Sequence, residues 1–185
     1  MRRRPLTIVM SGAGGAGKGT IARRLVELDP LLWLSRSWTT RAPRVDDAPM
    51  AYRYVTRDEF ERHRERGGFL EWNDFHDNLY GTPMPDPPAG HDVLLEIDVN
   101  GGRQVRRRHP DALLIFVEAP SVEEQRRRLL RRGDSVEQAE ARIREGDRER
   151  VDAKALGYRF VINDDLDRAV AEIRGAIEDG RSPDR

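Results

Sequence analysis

An α/β fold, a parallel β-sheet core flanked by helices, is predicted by three observations. Residues 6–10 (Leu-Thr-Ile-Val-Met) read as a short buried strand that runs into a glycine-rich turn and then a helix-spaced stretch. Later apolar runs at 93–97, 113–117 and 160–162 lack polar alternation, as parallel strands buried on both faces do. Helical segments fall between and after these runs. The length, 185 residues, favours one compact domain.

The elements follow in order. Residues 18–28 place Ile21, Leu25 and Leu28 on one helical face. Thr56-x-x-Glu59, Ser121-x-x-Glu124 and Ser135-x-x-Gln138 have capping-box spacing and predict three helix starts. The last helix starts near Asp165 and buries Leu166, Ala169, Val170, Ile173 and Ile177, and the end from Gly180 is expected to fray. Residues 35–90 are mixed, with a proline-rich run from Pro83 to Pro88 that bars a regular helix. Residues 122–150 are charged, with Leu129, Leu130 and Ile143 as apolar anchors, and read either as a solvated surface helix pair or as a mobile lid.

Composition excludes several classes. Basic and acidic residues both number 33, so bulk charge does not attract nucleic acid. The absence of cysteine excludes disulfides, thiolate zinc sites and thiol catalysis. The longest apolar run, residues 112–117, is far short of a membrane span. The basic start is followed by too short an apolar stretch for a secretory leader. A soluble, cytoplasmic protein without nucleic-acid or membrane partners is expected. His63, His76, His91 and His109 show no ligand spacing and are expected at the surface.

Gly12-Ala13-Gly14-Gly15-Ala16-Gly17-Lys18 fits G-x-x-x-x-G-K, the phosphate-binding P-loop. Glycines let the backbone curl so that successive N–H groups face phosphate oxygens, and the helix that follows adds its positive end. Lys18 would reach the β- and γ-phosphates. It is one of only two lysines, the other being Lys154, against 31 arginines. Gly19 stands in the usual Ser/Thr place and Thr20 follows, so direct metal ligation by this pair is not expected. Neither lysine is preceded by Asn, which removes the guanine motif of GTPases.

Ser37-Trp38-Thr39-Thr40-Arg41-Ala42-Pro43-Arg44 resembles the Ser-x-Thr-Thr-Arg-x-Pro-Arg stretch of the guanylate kinase family. Tyr52-Arg53-Tyr54-Val55, Phe69-Leu70-Glu71-Trp72, Tyr80-Gly81-Thr82, Leu95-Glu96-Ile97-Asp98, Pro120-Ser121, Arg132-Gly133 and Asn163-Asp164-Asp165 follow in the family's order, across residues 6–179. The resemblance implies a P-loop kinase fold: a core of about 5–34, 91–120 and 151–180, an inserted mixed α/β nucleoside-monophosphate lobe of about 35–90, and a helical lid of about 121–150. It implies transfer of the ATP γ-phosphoryl group to GMP, and to dGMP. Mg²⁺ would be carried with ATP, near Thr20 and Asp98 through water.

By that resemblance, residues 12–20 with Arg128 and Asn163 hold ATP. Ser37, Arg41, Arg44, Tyr52, Glu71, Tyr80, Thr82, Glu96 and Asp98 hold GMP. Lys18, Arg41, Arg132 and Arg142 serve the transfer. For Asn163 a helix-capping role is equally open. The residue types suit the task. Arginine forks match a phosphate dianion. One carboxylate, Glu71, can accept from guanine N1–H and N2–H₂, whereas adenine has no such donor pair. Ser37 and Thr82 can donate to O6. Phe69, Leu70 and Trp72 suggest partial burial of Glu71. Several positions depart from the family's usual pattern: Asp47 for Glu, Asp77 for Gly, Glu96 for Asp, Asn100 for Gln, a loop before Tyr52 that is one residue shorter, and the proline run. A kinase of another nucleotide or phosphosugar, and a non-catalytic binding module, are the rival readings. An intact Lys18 and intact lid arginines weigh against the second.

Overall fold

The computed structural model describes residues 4–43, 52–75 and 77–182. Arg44, Asp47 and His76 lie outside them. β1 (Thr7–Gly12), β2 (Leu32–Leu34), β7 (Asp92–Glu96), β8 (Leu113–Glu118) and β9 (Arg159–Ile162) form one sheet in the order β2-β7-β1-β8-β9, all neighbours parallel. A second sheet, in the order β4-β3-β6-β5, holds β3 (Trp38–Thr39), β4 (Arg53–Tyr54), β5 (Phe69–Phe75) and β6 (Asn78–Pro83).

The unbroken apolar strands arise because both faces of the parallel sheet are covered. Ile8 and Met10 of β1 face α1 (Lys18–Leu28) and α6 (Leu166–Arg181), packing with Ile21, Leu25, Ile173 and Ile177. Val9 points the other way, into a cluster with Val99 and Val105 of α3 (Val99–Arg108), Ala153 of α5 (Val136–Ala155), and Tyr158. Successive strand residues thus serve opposite cores. The three-residue β2 is too short to show a pattern of its own.

α2 (Arg57–Glu65) and α5 begin with complete capping boxes at Thr56 and Ser135. α4 (Val122–Arg131) does not. Ser121 accepts from the Glu124 N–H, but the Glu124 carboxylate turns to Arg127 and Arg128, whose hydrogen bonds hold its carboxyl at about 2. Leu129, Ala139 and Ile143 form the small core between α4 and α5, whereas Leu130, expected as an anchor, is 39% exposed. No helix forms across residues 84–88. Asp77 has φ 60°, the left-handed region that favours glycine and that Asp tolerates, which accounts for the substitution there. His63, expected at the surface, is half-buried. It stacks on Trp38 at 4.4 Å and hydrogen-bonds the Gly68 carbonyl at 2.9 Å. His91 and His109 are half-buried.

The second sheet is fastened to the first through α3. Gln104 takes the place of a neighbouring strand. It accepts from the Trp72 N–H at 3.3 Å and donates to the Trp72 carbonyl at 2.8 Å, which covers the outer edge of β5.

The chain does not fray at Gly180. α6 runs to Arg181, whose guanidinium binds the fully buried Asp92 at 2.7 Å and Asp29 at 2.7 Å. The other Asp92 oxygen accepts from the Leu6 N–H at 2.7 Å, so one carboxylate joins both ends of the fold. Arg181→Met is expected to cost about 3–5 kcal/mol, because it strands a buried charge. Chemical denaturation of the two proteins at neutral pH measures this.

Candidate active site

A cavity of about 290 Å³ opens at the C-terminal ends of β1 and β7, where open α/β sheets place their ligands. One wall is the glycine-rich loop with Lys18. The floor comes from β5 and β6, and α5 adds Arg142, Glu145 and Glu149 on the loop side.

The loop is built from outside inwards. A Cβ on Gly12 (φ 149°) would sit 2.2 Å from the Val117 carbonyl oxygen, so only glycine lets β1 pass β8 into the turn. Lys18 Nζ donates to the Gly12 carbonyl and, at 3.2 Å, to that of Ala13. Gln125 Nε2 donates to the Gly14 carbonyl at 2.9 Å. Asn163 Nδ2 donates to the Ala16 carbonyl at 2.8 Å, and Arg128 reaches the same oxygen at 3.4 Å and the Asn163 carbonyl at 2.9 Å. In a trans peptide the N–H points opposite to the C=O. Drawing the Gly14 and Ala16 carbonyls to one side therefore turns the N–H groups of Gly15 and Gly17 to the other. α1 starts at Lys18 with Gly17 as N-cap and no side-chain cap, so its positive end faces the loop's hollow.

The residues expected from the resemblance to hold GMP meet across the floor. β5 and β6 pair Glu71 with Thr82, Asn73 with Tyr80 and Phe75 with Asn78. Glu71 is 5% exposed, and Trp72, on the opposite face, is 37% exposed. The Thr82 N–H donates to Glu71 Oε1 at 2.9 Å, and the Ser37 and Thr82 hydroxyls lie 3.3 Å apart. Burial, helped by the nearby Asp98 charge, pushes the Glu71 carboxyl up to about 7 against the pull of the Thr82 hydrogen bonds. Gly101, near the start of α3, makes room for it: a Cβ there would lie 2.6 Å from Glu71 Oε2. Arg41 lies over the rings of Tyr52 and Tyr54 at 5.5 and 5.9 Å, and the Tyr52 and Tyr80 rings are 6.1 Å apart.

Glu96 ends β7, and Asp98 follows two residues later at the N-cap of α3, between the two walls. Both Glu96 oxygens lie 3.5 Å from where a Cβ on Gly19 would be. Asp98 caps α3 through the Gly101 N–H at 2.7 Å. Among the described residues no three His, Cys, Asp or Glu side chains group to hold a metal. Two carboxylates beside a phosphate loop suit Mg²⁺, which keeps its waters and binds through one or two carboxylates plus substrate phosphates.

Of the residues expected from sequence, Gly12, Gly14, Lys18, Ser37, Arg41, Tyr52, Glu71, Tyr80, Glu96, Asp98 and Arg142 line one cavity. Thr82 stands buried behind Glu71. Thr20 is exposed on α1, and Arg132, at the C-cap of α4, is exposed and off the cavity lining. Arg128 and Asn163 brace the loop from behind. Asn163 caps no helix, since Asp165 caps α6. Sequence reasoning missed Gln125, Asn73, Asn78, Gly101, Glu145 and Glu149. Burial raises the Glu149 carboxyl to about 7 against the pull of the Lys18 charge. Only Gln125 carried a signal, standing four residues before Leu129 on the helix face that becomes buried.

The family model described as guanylate kinase matches residues 3–180. A guanylate kinase of Rubrobacter xylanophilus is 44% identical over 176 residues, covering 92% of this chain and 92% of that protein. A guanylate kinase of Synechococcus sp. (strain CC9902) is 42% identical over 171 residues, covering 89% and 91%. A crystal structure of guanylate kinase from Anaplasma phagocytophilum superposes with a TM-score of 0.78 at 25% identity, covering all of this chain and 89% of the other. With the Lys18 loop and the Glu71 floor sharing one cavity, and with matches along nearly its whole length, this chain belongs to the guanylate kinase family.

Proposed function

We propose that this protein transfers the γ-phosphoryl group of MgATP to GMP, giving ADP and GDP. The observation that carries the reading is the meeting, in one cavity, of the Lys18 loop with a buried carboxylate and an arginine–tyrosine cluster. The loop N–H groups and Lys18 hold the donor phosphates. Arg41, Tyr52 and Tyr80 hold the acceptor phosphate, and Glu71, Ser37 and Thr82 read the base. Mg²⁺ carried with ATP would lie beside Glu96 and Asp98 and would add positive charge to the transferring phosphates.

No nucleophile or general base is needed from the protein. The GMP phosphate has a second pKa of about 6, so at pH 7 it is largely dianionic. One of its oxygens attacks the γ-phosphorus while the bond to the β-bridging oxygen breaks. Catalysis is positioning and charge stabilisation. Residues 35–90 act as the acceptor lobe, 121–150 as the lid and the rest as the core. Arg142 already stands on the loop side of the cavity, its Cδ 3.5 Å from where a Cβ on Gly14 would be. Arg132 comes in with lid closure, which also excludes water.

Incubation with MgATP and GMP, followed by chromatography, is expected to yield ADP and GDP in equal amounts. ADP without GDP would mean hydrolysis and would overturn the reading. Gln125→Leu tests the loop bracing. It strands the Gly14 carbonyl and is expected to raise KM for ATP about tenfold, with KM for GMP within about twofold.

A further inference from the structure

β5 points Glu71, Asn73 and Phe75 to one face, and Asn73 lines the cavity beside Glu71 and Asp98. Its amide is held at both ends. Nδ2 donates to Asp98 Oδ2 at 3.0 Å, and Oδ1 accepts from Asn100 Nδ2 at 3.1 Å. Chemistry fixes this polarity. A carboxylate only accepts, so the amide NH₂ must face Asp98, the carbonyl then faces Asn100, and Asn100 must donate. Asp98 Oδ1 is taken by the Gly101 N–H at 2.7 Å, so both carboxylate oxygens are anchored and the group cannot rotate. Gly101 also lies against Glu71 Oε2, which brings the two carboxylates together beside one glycine at the start of α3.

Guanine offers three N–H hydrogens along one edge, one on N1 and two on the 2-amino group. Glu71 Oε1 already accepts from Thr82. The 2-amino group needs a further acceptor, and the fixed Asp98 carboxylate stands next to Glu71. We propose that Asn73 is a specificity-determining positioning residue: backed by Asn100, it locks Asp98 in the orientation that receives the purine 2-amino group. This rests on the GMP reading above. The short Asn100 belongs to the same device, since its amide reaches Asn73 directly.

Inosine 5′-monophosphate is GMP without the 2-amino group and serves as the probe. The experiment compares kcat/KM for GMP and for IMP at saturating MgATP in the wild type, Asn73→Ala, Asn73→Asp and Asn100→Ala, with thermal midpoints recorded for each. The wild type is expected to prefer GMP. Asn73→Ala is expected to cut that preference about tenfold, through the acceptor KM, with KM for ATP within about twofold. Asn73→Asp keeps the side chain's shape but sets an acceptor against Asp98, and is expected to cut the preference at least as far. Asn100→Ala falls between wild type and Asn73→Ala. A merely structural role would lower both substrates together and leave the ratio alone. An unchanged GMP-to-IMP ratio in both Asn73 variants overturns the proposal while leaving the kinase reading intact. A wild type that does not distinguish GMP from IMP overturns the base reading itself, and this proposal with it.

Discussion

Lys18→Ala is expected to lower GMP-dependent ADP formation by at least about 10³-fold, with a thermal midpoint close to that of the wild type. Lys18 Nζ rests on the Gly12 and Ala13 carbonyls at the mouth of the loop, inside the cavity. Those carbonyls give its ammonium a place to wait without satisfying its charge as a phosphate would. Arriving β- and γ-phosphates replace them, and the positive charge then stands where negative charge builds up during transfer. The chain uses 31 arginines and two lysines, so a lysine here answers a local need. A compact ammonium on a flexible stem fits the hollow of the loop, where a planar guanidinium fork is too wide. Lys18→Arg is therefore expected not to restore activity. Steady-state ADP release measures both variants, and more than about a tenth of wild-type turnover in Lys18→Ala would contradict the donor-site assignment.

Glu71→Gln is expected to lower kcat/KM for GMP by about 10²–10³-fold, because an amide cannot accept both hydrogen bonds that a carboxylate accepts. Its pH dependence is a sharper test. Burial raises the Glu71 carboxyl from its ordinary 4.5 to about 7, so below that pH it carries a proton. A protonated carboxyl loses an acceptor where guanine brings donors. For the wild type, kcat/KM for GMP is thus expected to be flat above pH 7 and to fall as pH drops through 7. A second, steeper fall begins near pH 6, where the acceptor phosphate itself takes up a proton. Glu71→Gln should erase the limb near 7 and keep the limb near 6. The same shift has a stability consequence of known sign. Because the folded pKa is raised above the unfolded value, the stability linked to Glu71 is fully present below about 4.5 and is lost as pH rises through 7. Glu71→Gln, free of the buried charge, is expected to be more stable than the wild type at pH 8, on the order of 1–3 kcal/mol, and less different at pH 5.

What could be read from the sequence was local. The loop follows from glycine chemistry and from a strand and helix on either side of it, and α1 spans the 11 residues that its apolar spacing predicts. β1, β7 and β8 were visible through the apolar runs of strands covered on both faces, and the edge strand β9 through Phe160, Val161 and Ile162, although Arg159 and Ile162 are exposed. The floor of the cavity was visible through Glu71, Tyr80 and Thr82, which hairpin pairing brings onto one face.

What could not be read depended on partners distant in sequence. Gln125 and Gly14 are 111 positions apart, and a polar residue in a charged helix carries no mark of the carbonyl it will meet. Asn73 finds Asp98 only when β5 lies against the start of α3. The Ser121 motif had the right spacing for a capping box, but two nearby arginines outcompeted the backbone for Glu124. Fraying from Gly180 was expected because chain ends are poorly ordered unless something ties them down, and the tie is Arg181. The fold brings it Asp92, 89 positions away in the middle of the chain.

The central claim is that one cavity holds two nucleotides and tells guanine from other bases by a carboxylate. It is tested most directly by ADP release from MgATP with GMP, dGMP, AMP, CMP and UMP as acceptors, run on the wild type and Glu71→Ala. The expected result is turnover by the wild type with the two guanine nucleotides alone, and collapse of that preference in Glu71→Ala. Equal turnover of AMP and GMP by the wild type, or a guanine preference that survives the loss of Glu71, would contradict it.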